Sequence, residues 1–294
     1  MGGGFDVFCG LPIYFELQNR GHSVHLASLS FADIDGYNDH LTESMVAARP
    51  ATPELTGYHP ERYLTSWLSK NTKHEPAVWC IKPTGVQTVL QDLRILRSKF
   101  AFDTIILVDG GLDSLTRGDE VLVGKVLEDY TTLAAAEMLE DVPTKILACI
   151  GFGIEGDVSH ESVLENIAAI TAKGGFLGSC SLVAHSRAYE LYEQALNFTH
   201  NQPEQQPSII NASIVSAVRG QFGDYHATER TRGSKLWISP LMSLYWFFDL
   251  HTVAKQNLFL EPLKQTVTDK DVAAAIYDSR DSMNLRPAKP IPLS

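Results

Sequence analysis

The sequence predicts an α/β protein with a doubly wound, mostly parallel sheet and helices on both faces, a Rossmann-like three-layer arrangement. Three observations carry that expectation. Residues 104–108 are a continuous β-branched run of the kind expected of a strand buried on both faces, and residues 145–150 read as another buried strand running straight into the third loop. Segments with helical apolar spacing alternate with such runs. Three loops of glycine and acid, Gly2-Gly3-Gly4-Phe5-Asp6, Asp109-Gly110-Gly111-Leu112-Asp113 and Gly151-Phe152-Gly153-Ile154-Glu155-Gly156-Asp157, each precede a helix-like segment, the last two directly after a strand-like run. Parallel strands would bring all three to one sheet edge, where open α/β folds bind ligands.

Along the chain, residues 11–18 have helical spacing, with Pro12 tolerable in a first turn and Gly21 closing the helix. Residues 23–29 read as a strand. Residues 52–62 are rich in turn formers and read as a long surface connection. Residues 77–81 form a short strand, 86–99 a helix and 104–108 the first buried strand. Residues 120–140 are helical in composition, 145–150 form the next buried strand, and 162–172 a helix that Asp157 or Ser159 could cap. Then come a strand at 176–183, an amphipathic helix at 187–198, a helix at 209–219, a short strand at 236–239, and the aromatic run Tyr245-Trp246-Phe247-Phe248, expected in the core. A glycine loop of the opening type should follow a buried strand, yet Met1 abuts it, so the first strand is expected to be truncated. The whole chain, 1–294, reads as a single domain, with residues 208–294 as its C-terminal elaboration.

A chain of 294 residues with 44% hydrophobic residues can bury a full core. Its net charge of -11, without a Lys/Arg-rich block, argues against binding to nucleic acid or anionic membranes. No apolar run approaches the roughly 20 residues that a membrane helix needs. Cys9, Cys80, Cys149 and Cys180 form no C-x-x-C pair, so neither a zinc knuckle nor a disulfide framework is expected, and a reducing, cytoplasmic setting is the simple reading.

The glycines Gly2, Gly3, Gly4, Gly110, Gly111, Gly151 and Gly153 could let backbone N–H groups approach an anionic guest at a helix N-terminus. The carboxylates of Asp6, Asp109, Asp113 and Asp157 would repel that guest unless a cation lay between, which points to magnesium or manganese. The competing reading is structural: glycines make tight turns and aspartates cap helices. For Asp119 and Glu120 the structural role, opening the next helix, is preferred. Gly151, Gly153 and Gly156 satisfy G-x-G-x-x-G, but Glu155 and Asp157 put negative charge where a pyrophosphate would lie, so NAD or flavin is disfavoured. His59 and Arg62 could close over the site as an acid and an anion clamp, or be ordinary solvated loop residues. Cys9, beside a glycine near a helix N-terminus, could be a nucleophile, though the sequence names no base for it, and Arg230, Arg232 and Lys235 either hold an anion or offset acidic surface.

Taken together, the Gly-Gly-Gly-x-Asp-Val opening, Thr52-Pro53-Glu54, Val108-Asp109-Gly110-Gly111-Leu112-Asp113, the third loop and Ser239-Pro240-Leu241 resemble the uncharacterised family catalogued as domain of unknown function 1152. The similarity runs over nearly the whole chain. It implies a single domain, a strand before the opening loop, and an acid after the glycines of the third loop, matched by Glu155 and Asp157. It implies no reaction and transfers no catalytic residue.

The resulting expectation is a metal-dependent hydrolase, transferase or lyase acting on a small anionic metabolite, phosphorylated or carboxylated. The alternative is a non-catalytic nucleotide-binding or sensory module. Nothing in the sequence determines an oligomeric state.

Overall fold

The computed structural model describes residues 1–53, 56–72 and 75–291. Glu54 and Leu55, inside the expected surface connection, lie outside the described residues. In chain order the elements are α1 (Asp6–Cys9), α2 (Leu11–Asn19), β1 (Leu26–Leu29), β2 (Met45–Ala48), α3 (Pro60–Asn71), β3 (Val78–Ile81), α4 (Val86–Phe100), β4 (Thr104–Asp109), α5 (Val126–Met138), β5 (Thr144–Ile150), α6 (His160–Ala172), β6 (Phe176–Ser181), α7 (Arg187–His200), α8 (Ile209–Val218), β7 (Gly223–Asp224), β8 (Trp237–Ile238), β9 (Leu244–Asp249), α9 (Leu250–Ala254), α10 (Leu260–Leu263) and α11 (Asp269–Asp281). No helix among the described residues is long and apolar enough to cross a membrane. The chain divides into two compact units, Met1–Pro83 with Ser181–Ser243, and Thr84–Cys180 with Leu244–Ser294.

The first unit holds the sheet β1-β3-β2, in which β1 pairs parallel with β3 and β2 antiparallel with it. The glycine opening joins this sheet through a parallel bridge from Gly3 to Leu29 and a bond from the Gly4 N–H to the Leu29 carbonyl. The supposed surface connection needs correction. Its last three residues, 60–62, open the first turn of α3, with Pro60 at the start, where a missing N–H costs nothing. Leu64 and Leu68 recur four apart and are both fully buried, which gives this helix a core-facing stripe. Burying side chains of this kind is worth about 1.5–3 kcal/mol each.

The second unit holds the sheet β4-β5-β9-β6. β4 and β5 run parallel, because α5 carries the chain back across the sheet between them. β9 pairs antiparallel with β5 throughout, from Ile146 opposite Asp249 to Ile150 opposite Tyr245. The aromatic run is therefore a strand, lying between β5 and β6 in sheet order. Trp246 packs against Phe152 and Phe176, and Phe248 against Phe176. Both sheets are thus mixed, and the mostly parallel, doubly wound sheet is corrected to a mixed α/β arrangement with flanking helices. The physical cause is the connection. A single crossover helix enforces parallel neighbours, whereas β9 follows the long excursion through Ser181–Ser243, which imposes no direction on it.

Candidate functional site

Two of the three loops meet in the second unit. Since β4 and β5 are parallel and Asp109 pairs with Cys149, the loops that follow them leave the sheet at the same edge. Asp109 ends β4 and is buried; its carboxylate accepts from the Ser114 backbone N–H at 3.3 Å and from the Ser114 hydroxyl. Asp113 opens a short 3-10 turn and is 4% exposed. Its Oδ2 accepts from the Lys125 backbone N–H at 3.0 Å. Asp129, in the first turn of α5, is equally buried. One carboxylate oxygen from each of Asp109, Asp113 and Asp129 lies within 4.8 Å of the others.

Glu155 joins this group from the third loop. Its Oε2 accepts from the Leu112 N–H at 2.7 Å, and a Cβ at Gly111 would come within 2.5 Å of its Oε1. Glycine at 111 therefore lets a carboxylate sit against the turn. The third loop can fold back this way because Gly151 and Gly153 adopt φ of 99° and 94°, in the left-handed region. A further tie runs from the Gly124 N–H to the Asp157 carbonyl, with Val123 bridging Val158.

Burial dominates the electrostatics. It pushes the Asp113 carboxyl up to about 7, with Asp109 adding repulsion. Asp109 is raised by burial despite its hydrogen bonds from Ser114. Glu155 is raised well above the usual range, by burial first and then by Asp113 and Asp109. Among the described residues, no Lys or Arg side chain forms an ion pair with Asp113 or Glu155. Buried acids so arranged must either hold protons or share a cation.

Of the metal-ligand candidates, Asp109 and Asp113 come together. Asp157 is solvent-exposed, and its hydrogen bond to the second loop is made by its backbone carbonyl. Asp6, in the first turn of α1, belongs to the other unit with Gly2, Gly3 and Gly4. There Phe31 and Tyr58 fill the space over Gly3 and Gly4. His59 and Arg62, in the same unit, are buried rather than solvated. The His59 ring bridges the Tyr37 hydroxyl and the Thr56 carbonyl at 3.1 Å each, and Arg62 Nε donates to the Thr52 carbonyl at 3.2 Å.

Gly110 and Gly111 form the turn that Glu155 covers. Asp119 and Glu120 do not open α5, which begins at Val126; both carboxylates pair with Arg286 instead. Ser159 takes the N-cap position of α6 without a side-chain cap bond. Arg230 donates to the Pro207 carbonyl and Arg232 pairs with Glu229.

Asp129 and Glu155 were missed as site residues. An acid in the first turn of a helix is what dipole stabilisation alone would favour, so Asp129 carried no distinguishing signal. Glu155 and Asp157 flank one glycine, and a loop has no periodicity to say which of them turns inward.

Fold and site together define a mixed α/β protein with a buried cluster of carboxylates at the C-terminal ends of two parallel strands. The family model described as "Protein of unknown function (DUF1152)" matches residues 29–280, and the chain belongs to that family. The match includes the second and third loops, and Gly2 to Asp6 precede it. No curated protein and no solved structure gives a match.

Proposed function

We propose that the chain is an enzyme that uses a divalent cation, magnesium or manganese, held by Asp109, Asp113 and Asp129, to act on a small anionic metabolite. The observation that carries this is the convergence within 4.8 Å of three buried carboxylates, two from the end of β4 and the loop after it and one from the first turn of α5. Neighbouring oxygens around an octahedral Mg²⁺ are about 3 Å apart and opposite ones about 4.2 Å, so the three carboxylates would draw together on a bound cation. All-oxygen donors suit a hard cation. A bound cation would supply Lewis-acid activation of a phosphoryl or carboxylate oxygen.

The chain's own carboxylates also limit how the substrate is bound. The N–H groups of Leu112, Ser114 and Lys125 already donate to Glu155, Asp109 and Asp113. An anionic substrate would therefore rely on the cation rather than on these donors. Hydrolysis, group transfer and lyase chemistry all fit this arrangement. The second reading, a non-catalytic nucleotide-binding module, draws on the left-handed Gly151 and Gly153 at the same sheet edge.

Thermal unfolding with EDTA, Mg²⁺ or Mn²⁺, alone and with nucleotides, sugar phosphates and dicarboxylates, separates the two. A cation at about 100 times its dissociation constant should stabilise by roughly 2.7 kcal/mol, and an anion response should require it. A nucleotide shift indifferent to EDTA would favour the module, and no response to any cation would sink the cation site.

A further inference from the structure

Two arginines at the C-terminal end of the second unit reach the stretch between Asp113 and α5. Arg280, in the last turn of α11, donates through Nη1 to the Gly118 carbonyl at 2.9 Å and through Nη2 to the Glu120 carbonyl at 3.0 Å. Arg286, beyond that helix, pairs with Asp119 at 2.9 Å, Glu120 at 2.8 Å and Glu165 at 2.7 Å. Its backbone adds two more ties, donating to the Asp119 carbonyl and accepting from the Val121 N–H. Glu120 passes the grip inward. Its fully buried carboxylate accepts from the N–H groups of Arg117 and Gly118 and from Asn166, whose amide also donates to the Leu115 carbonyl.

This stretch shapes the acidic cluster. Gly118 and Gly124 both have positive φ, so the stretch turns at each end in a conformation that favours glycine. The stretch ends at Gly124, packed against Asp113 so closely that a Cβ would lie 2.6 Å from the Asp113 Cβ. Lys125, the next residue, supplies the N–H that holds Asp113 Oδ2. A segment that orients a ligating carboxylate is held from outside: the arginines hold residues 118–121, and the third loop holds residues 122–124 through Asp157, Val158 and Ser159.

Resting on the cation reading above, we propose that Arg286, assisted by Arg280, is a positioning residue: it clamps residues 118–121 and thereby sets the affinity of the Asp109, Asp113 and Asp129 cluster for a divalent cation. Neither arginine touches the cluster. Their effect passes through Glu120 and the Gly124–Lys125 backbone to Asp113.

The test is Mn²⁺ titration by calorimetry of the full chain, alongside amide hydrogen exchange, for the wild type, Arg286→Ala and Arg280→Gln. Arg286→Ala should weaken Mn²⁺ binding about 10–100-fold, and added ethylguanidinium should restore part of it. Arg280→Gln, which strands no buried charge, should act in the same direction by less, and it decides the matter if Arg286→Ala fails to fold. Exchange protection should fall at Gly124 and Lys125 and hold in β5 and α4. Unchanged Mn²⁺ affinity in a folded variant overturns the clamp, as does a uniform loss of protection across the unit. A wild-type chain that binds no Mn²⁺ overturns the cation reading itself, whatever the exchange shows.

Discussion

At the scale of single residues, Asp113 is where repulsion, burial and backbone bonding meet. Asp113→Asn removes one buried charge from the cluster, so at pH 8 the cation-free protein should be more stable than the wild type, while the stabilisation by Mn²⁺ should disappear. Thermal unfolding with and without Mn²⁺ measures both, and an Asn variant with an undiminished Mn²⁺ response would remove Asp113 from the site. Gly124 gives a steric counterpart. Its φ of 78° and the 2.6 Å approach to Asp113 leave no room for a methyl group. Gly124→Ala should cost about 1–3 kcal/mol in urea unfolding and weaken Mn²⁺ binding as Asp113 is pushed aside. A neutral result would mean that the turn relaxes freely and does not hold the site.

At the scale of elements, β9 separates what sequence patterning can say from what pairing decides. Of the four consecutive aromatics expected in the core, Tyr245 and Phe248 are buried and Trp246 and Phe247 half-buried, and an unbroken apolar run does not distinguish a strand from a buried helix. Pairing with β5 and β6 made it an interior strand. Phe248 is fully buried there against Phe176, and Phe248→Ala should cost about 3–5 kcal/mol in urea unfolding. A loss below about 1 kcal/mol would mean that β9 is peripheral to the sheet. α3 was hidden for another reason. Turn-forming residues before it, Thr56-Gly57-Tyr58-His59-Pro60, masked a helix whose start is marked by that same proline. α5 was legible as a helix, but the loop before it runs to Lys125 and is held by Arg286, more than 160 residues away in sequence.

For the molecule as a whole, buried acids predict how stability follows pH. The Asp113 carboxyl is raised from 3.8 to about 7, and burial also raises Glu61, fully enclosed beside Ser28, from 4.5 to about 7, with Tyr37 and Cys80 close to it. Between the usual and the raised values the folded protein binds more protons than the unfolded chain. Stability from these groups is complete below about pH 4 and is lost as pH rises through about 7. The unfolding midpoint of the cation-free protein, followed by urea titration, should therefore fall from pH 5 to pH 8. Mn²⁺ should suppress the part due to the acidic cluster, and Glu61→Gln the part due to the first unit. A midpoint that rises over this range would show that these carboxyls are ionised at no cost, contrary to their burial.

The α/β class, most strand and helix positions, the family and two of the three clustered aspartates are legible in one dimension, because apolar periodicity, β-branched runs and glycine turns are local properties of the chain. The tertiary structure decided the direction of β9, the recruitment of Asp129 and Glu155 in place of Asp157, and the grip of Arg286 on Glu120. Each of these depends on contacts between residues distant in sequence. A carboxylate in a loop reads the same whether it faces water or a buried neighbour, and only the packing of the chain around it distinguishes the two.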